Sequence, residues 1–175
     1  MDENKRKDTS EDQALSLSDL LTFSGAYDHT LDAKGRIVIP NAYREPLGDT
    51  FVVSVTRDTK SIALYPNDVF ESFIREINSL NKRKVAIQDY IRNVAKFTFL
   101  NSQMDNQGRV LLPAKLRLAK LGDAKDIEIS GAFDHVEIVS SETARLNYER
   151  FNDPDHLDAL LEEIGNMGFE QTDRF

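Results

Sequence analysis

Leu31 to Arg44 reads LDAKGRIVIPNAYR, and Met104 to Arg117 reads MDNQGRVLLPAKLR. Laid over one another, these stretches carry Asp, Gly, Arg, Pro and Arg at matching places, with apolar residues in register between them. After a one-residue insertion the agreement continues: Leu47-Gly48-Asp49 falls on Leu121-Gly122-Asp123, and Ser61 to Tyr65 falls on His135 to Val139. One unit therefore occurs twice, and a repeat decides an architecture before any single motif does.

Each copy has the same physical reading. Asp32-Ala33-Lys34-Gly35 and Asp105-Asn106-Gln107-Gly108 suit a tight hairpin turn, with the Asp carboxylate bonding the backbone N–H groups ahead of it and Gly in the left-handed position. Ile37-Val38-Ile39 and Val110-Leu111-Leu112 are short apolar runs suited to buried strands, and Phe97 and Phe99 alternate with polar residues before the second turn. Pro40 and Pro113 end those strands and open short helices that Gly48 and Gly122 close, the first kept short by Pro46. Phe51 to Val55 and Ser61 to Tyr65 predict a second pair of strands, matched by Ile127-Glu128-Ile129 and Val136-Glu137-Ile138.

Between the copies, Val69, Phe70, Phe73, Ile74 and Ile77 form the stripe of an amphipathic helix over Pro66 to Leu80, and Lys82 to Val94 predicts another. Leu157, Leu160, Leu161 and Ile164 give the acidic C-terminal stretch its own stripe, with 165–175 read as a frayed end. The expected organisation is a polar extension over 1–22, a first half with its trailing helix over 23–80, a connecting helix over 81–95, a second half over 96–150, and an acidic helix and tail over 151–175. The fold class is α+β, with two pseudo-symmetric β-rich halves packed together and flanking and connecting helices. A half this small buries too little apolar surface to stand alone.

Composition bounds the chemistry. At 175 residues the chain holds one domain or two small fused units, and with no cysteine it forms neither disulfides nor thiolate metal sites, which favours the cytoplasm. No apolar run reaches the length of a signal or membrane segment, so neither a membrane nor a lipid partner is expected. The formal charge of −8 opposes a nucleic-acid partner overall, but its distribution is uneven. Residues 1–22 hold six acids and three bases, 151–175 hold seven acids and one base, and the middle holds 17 acids and 18 bases. The acidic tails read either as solubilising segments or as segments that screen a DNA face or touch a partner.

The motifs Asp32 to Pro40 and Asp105 to Pro113 closely resemble the paired motifs of the MraZ family, which has the SpoVT/AbrB-like fold. The resemblance covers about residues 23–150 and includes Gly25-Ala26-Tyr27, His29, Arg44 and Arg117; it departs at Val139, where a tryptophan is common, and at Phe99, where a small residue is usual. It implies a bacterial transcription factor with two swapped-hairpin halves per chain. It further implies a ring-like homo-oligomer on direct repeats in promoter double-stranded DNA, upstream of division and cell-wall genes including its own operon, in the cytoplasm and on the nucleoid. By that resemblance Asp32 with Arg36 and Asp105 with Arg109 are the DNA-contacting pairs, placed by Gly35 and Gly108. An Arg after a tight turn presents a planar fork to two guanine acceptors or to phosphate oxygens. Lys34 adds a phosphate contact that the neutral Gln107 does not.

Other features have blander readings. Arg44 and Arg117 are expected to be structural, pinned against carboxylates or strand ends, and Lys82-Arg83-Lys84 to be a solvated helix face. His29 and His135 adjoin Asp28 and Asp134, but adjacent strand residues point to opposite faces, so both histidines are expected on the surface or in turns. No Gly-rich phosphate loop, metal-ligand spacing or calcium loop is present, so no enzyme, cofactor or small-molecule substrate is expected. The rival function is an oligomeric interaction scaffold of the same fold with weak or lost DNA binding, motivated by the net charge.

Overall fold

A computed structural model describes residues 22–166. The 1–21 part of the expected extension and the stretch 167–175 lie outside the described residues. The first repeat supplies β1 (Ala26–Thr30), β2 (Arg36–Val38), α1 (Asn41–Leu47), β3 (Phe51–Val55) and β4 (Ile62–Pro66). Two helices follow, α2 (Asn67–Ser79) and α3 (Val85–Lys96). The second repeat supplies β5 (Phe99–Ser102), β6 (Arg109–Leu111), α4 (Ala114–Leu121), β7 (Asp126–Gly131) and β8 (Val136–Ser140), and α5 (Ser141–Phe151) and α6 (Pro154–Asn166) close the described chain. The class is α+β.

Strands of both repeats share one antiparallel sheet in the order β1-β7-β8-β4-β3-β5, and β2 pairs β6 in a separate two-stranded ribbon. The expected tight turns form, each closed between its own arms by Asp32 N–H on Arg36 O or Asp105 N–H on Arg109 O, both at 2.9 Å. Beyond the turns the arms do not continue as local hairpins, because β1 pairs β7 over Ala26–Thr30 and β2 pairs β6 across Ile37 and Val110. In the ribbon each short arm finds in the other repeat a partner for its inward residue, and Ile37 and Val110 are both 1% exposed.

The core is densest along β3 and β4, where every residue of β3 and the first four of β4 are buried. Tyr43 and Leu47 of α1, Phe70, Phe73 and Ile77 of α2, and Leu116 and Leu121 of α4 close over it. Val139 is buried, and Phe99 packs partly buried against the core beside Val53. Pro40 and Pro113 sit just ahead of α1 and α4 at φ −51° and −55°, and Gly48 and Gly122 end those helices at positive φ.

Several boundaries differ from expectation. Phe97 caps the end of α3, so only Phe99 belongs to the strand before the second turn. Lys82, Arg83 and Lys84 lie exposed in the turn ahead of α3 and not on a helix. Helix α5 has no counterpart in the sequence reading; Ser140 caps it by accepting the Thr143 N–H at 3.1 Å. Helix α6 runs through Gly165, which the reading gave to a frayed end.

Candidate nucleic-acid interface

The two turns are built by the same bonds. Asp32 Oδ1 accepts the N–H groups of Lys34 at 2.8 Å and Arg36 at 2.9 Å, and Asp105 Oδ1 accepts those of Gln107 at 2.9 Å and Arg109 at 3.0 Å. The main chain closes each loop, with Gly35 N–H on Asp32 O at 2.9 Å and Gly108 N–H on Asp105 O at 2.8 Å. Gly35 and Gly108 stand at φ +79° and +72°, a region that costs a side-chain-bearing residue.

The second carboxylate oxygen of each Asp holds the arginine. Arg36 Nε donates to Asp32 Oδ2 and Arg109 Nε to Asp105 Oδ2, both at 2.7 Å. This uses the inner nitrogen of each guanidinium and leaves the two terminal nitrogens without a protein partner among the described residues. The bonds from the Arg36 and Lys34 backbone and from the Arg36 side chain hold the Asp32 carboxyl down to about 2, and the matching bonds from Arg109 and Gln107 depress Asp105. Both carboxylates thus stay ionised and keep their arginines oriented.

The ribbon brings the two arginines together. In its register Arg36 stands opposite Leu111 and Val38 opposite Arg109, so these four residues share one face while Ile37 and Val110 point into the core. Arg36 and Arg109 are diagonal neighbours, about 7–8 Å apart at the backbone. Val38 and Leu111, 40% and 61% exposed, complete the tile. The sequence reading named Asp32, Lys34, Gly35, Arg36, Asp105, Gly108 and Arg109 and missed these two apolar residues. The signal was present in the alternation of Ile37-Val38-Ile39 and Val110-Leu111-Leu112, but a continuous apolar run reads as fully buried unless its partner is known. Lys34 is exposed at the end of the ribbon where β2 begins.

A family model described as "MraZ protein, putative antitoxin-like" matches residues 22–92. The "Transcriptional regulator MraZ" of Lachnoclostridium phytofermentans is 34% identical over 148 residues, covering 83% of this chain and 97% of that protein. The chain belongs to the MraZ family. MraZ regulators of Syntrophomonas wolfei, 37% identical over 69% of this chain and 82% of theirs, and of Mycobacterium tuberculosis, 32% identical over 83% and 99%, are similar as well. These MraZ relatives are named as transcriptional regulators and not as enzymes, in agreement with the sequence reading.

Elsewhere in this MraZ chain His135 lies in the turn before β8, as expected of it, but it is buried there and not on the surface. His135 is 7% exposed, stacks on Tyr65 at 4.9 Å, and contacts Asp134 through Nδ1 and Glu137 through Nε2. The rule of opposite faces fails because Asp134 lies in the turn before β8 and not on a strand. Among the described residues no group of three His, Asp or Glu side chains is arranged to hold a metal ion, and no helix is long and apolar enough to cross a membrane.

Proposed function

We propose that this chain is a sequence-specific, DNA-binding transcriptional regulator that reads duplex DNA with the outer face of the β2–β6 ribbon. The observation that carries the reading is the shared face: two arginines, each held at Nε by its own aspartate, stand diagonally with their terminal nitrogens free. A two-stranded antiparallel ribbon fits the major groove, where arginine forks pair with guanine O6 and N7. Val38 and Leu111 offer the apolar contact that a thymine methyl takes. Lys34 and the turn backbones supply phosphate contacts.

Two arginines and one lysine make a weak contact by themselves. The relatives' regulator name supports the regulatory role, and the motif resemblance carries the fuller picture, in which a ring-like homo-oligomer multiplies these contacts across promoter direct repeats. On that reading the regulated genes are those of division and the cell wall, including its own operon, and the protein is cytoplasmic and nucleoid-associated.

The test is a fluorescence-anisotropy titration of the protein against duplex DNA from its own upstream region and a scrambled control, at one fixed salt concentration. Arg36→Ala and Arg109→Ala each lower the preference for the native duplex by about 1–3 kcal/mol. If wild type shows no preference for the native duplex at that salt, nor when the titration is repeated at lower salt, the DNA reading fails and the interaction scaffold takes its place.

A further inference from the structure

We infer that Arg117 and Arg44 are positioning residues for the DNA-reading turns, and that they act crosswise, Arg117 setting the first repeat's turn and Arg44 the second's. The inference rests on the ribbon being the reading face and deepens that proposal.

The crossing follows from topology. Because β2 and β6 run antiparallel, the start of each strand lies beside the end of the other. Leu112 N–H donates to Gly35 O at 3.1 Å, and Ile39 N–H donates to Gly108 O at 2.9 Å. Each strand end leads through its proline straight into a helix, so α4 of the second repeat starts against the first turn and α1 of the first repeat against the second. The helix arginines then fall on the glycines. The Arg117 guanidinium occupies the space where a Cβ on Gly35 would stand, and the Arg44 guanidinium occupies that space on Gly108.

The glycines therefore serve two needs at once, positive φ and room for a guanidinium from the other repeat. Around the second turn the contacts close into a loop: Ile39 holds Gly108 by its N–H and accepts Arg44 Nε on its carbonyl at 2.9 Å. Arg117 makes no side-chain hydrogen bond among the described residues and acts on Gly35 by packing alone. A turn pressed on one side by a guanidinium and tied on the other by a strand N–H is held in one conformation. The orientation of Arg36 or Arg109 depends on that conformation, since the same aspartate bonds both the turn and the arginine.

The crossed assignment is tested first without DNA, by amide hydrogen exchange in the full chain. Arg117→Ala speeds exchange at Lys34 and Arg36 by about fivefold or more and leaves Gln107 and Arg109 unchanged, and Arg44→Ala does the reverse. Acceleration in the arginine's own repeat, in both turns equally, or in neither overturns the inference. Should Arg117→Ala loosen the whole chain, Arg117→Lys keeps the packed stem while lacking the planar group, and carries the same test.

The second arm is a double-mutant cycle in the anisotropy assay. Arg117→Ala weakens specific binding by about fivefold in wild type and by less than about twofold once Arg36→Ala is present, whereas it keeps its full effect beside Arg109→Ala. Full binding by Arg117→Lys marks Arg117 as a plain phosphate contact and sinks the positioning role. A null result for Arg36→Ala and Arg109→Ala themselves strikes the ribbon proposal instead, and the exchange measurement still judges the bracing.

Discussion

Asp32 puts one carboxylate to two uses, as Asp105 does in the second turn: one oxygen ties two turn amides and the other holds Arg36. Bonds that favour the ionised form depress the folded pKa to about 2 from an ordinary 3.8, so their contribution is complete above the ordinary value and is lost as pH falls through the folded one. A carboxyl-carbon NMR titration should therefore place the Asp32 midpoint near 2, and Arg36→Ala should move it upward; a midpoint near 3.8 in the folded wild type would show that the turn does not hold its carboxylate. Val38 supports a second residue-level prediction. If it meets a thymine methyl, replacing the contacted thymine by uracil weakens wild-type binding by about 1 kcal/mol and leaves Val38→Ala, already missing that contact, much less affected. Equal loss in both proteins at every thymine of the site would remove Val38 from base reading.

Elements were legible in the sequence where a local rule governs them. The two Asp-x-x-Gly turns, the proline starts and glycine stops of α1 and α4, and the stripe of α2 all follow from capping, φ preference and period. Pairing was not legible, since nothing local says that β1 joins β7 and β2 joins β6, and with it went the shared face of Arg36, Val38, Arg109 and Leu111. Helix α5 was hidden because its apolar residues Leu146 and Phe151 stay half-exposed and make no clear stripe. The burial of His135 in the β7–β8 turn was not legible for the same reason as the pairing: β4, paired with β8, brings Tyr65 beside it. Burial there opposes the charged imidazolium, yet the bonds and charges of Glu137 and Asp134 outweigh it and raise the pKa above 6.5. A raised folded pKa gives stability that is complete below the unfolded value and fades as pH climbs through the folded one. The urea midpoint should accordingly fall as pH rises above the ordinary imidazole range, and His135→Gln should flatten the profile there. Arg57 bonds Asp134 and Glu76 of α2, which joins this turn to the helix above it. A wild-type profile as flat as the variant's would show that the histidine does not act as a charged link.

At the scale of the whole molecule the question is how a chain of charge −8 approaches a polyanion. Its acids are concentrated away from the ribbon in sequence, and α6 carries Asp155, Asp158, Glu162 and Glu163 on a helix with no buried residue. A helix so exposed adds little to the core, so its charges can be changed without dismantling the fold. Charges that lie beyond a Debye length, about 10 Å at 0.1 M salt, are largely screened, whereas phosphate contacts release counterions and weaken with a slope set by their number. These two dependences separate the tail from the reading face. Converting the four acids of α6 to their amides should tighten DNA binding by about two- to fivefold near 50 mM salt, with the gain vanishing toward 0.5 M as screening removes the repulsion. Arg36→Ala should instead lower binding across that range and reduce the salt slope. An anisotropy series over salt reads both effects. If the neutralised α6 leaves DNA binding untouched at every salt but abolishes capture of a protein partner, the acidic helix is a docking element and the scaffold reading gains the evidence it now lacks.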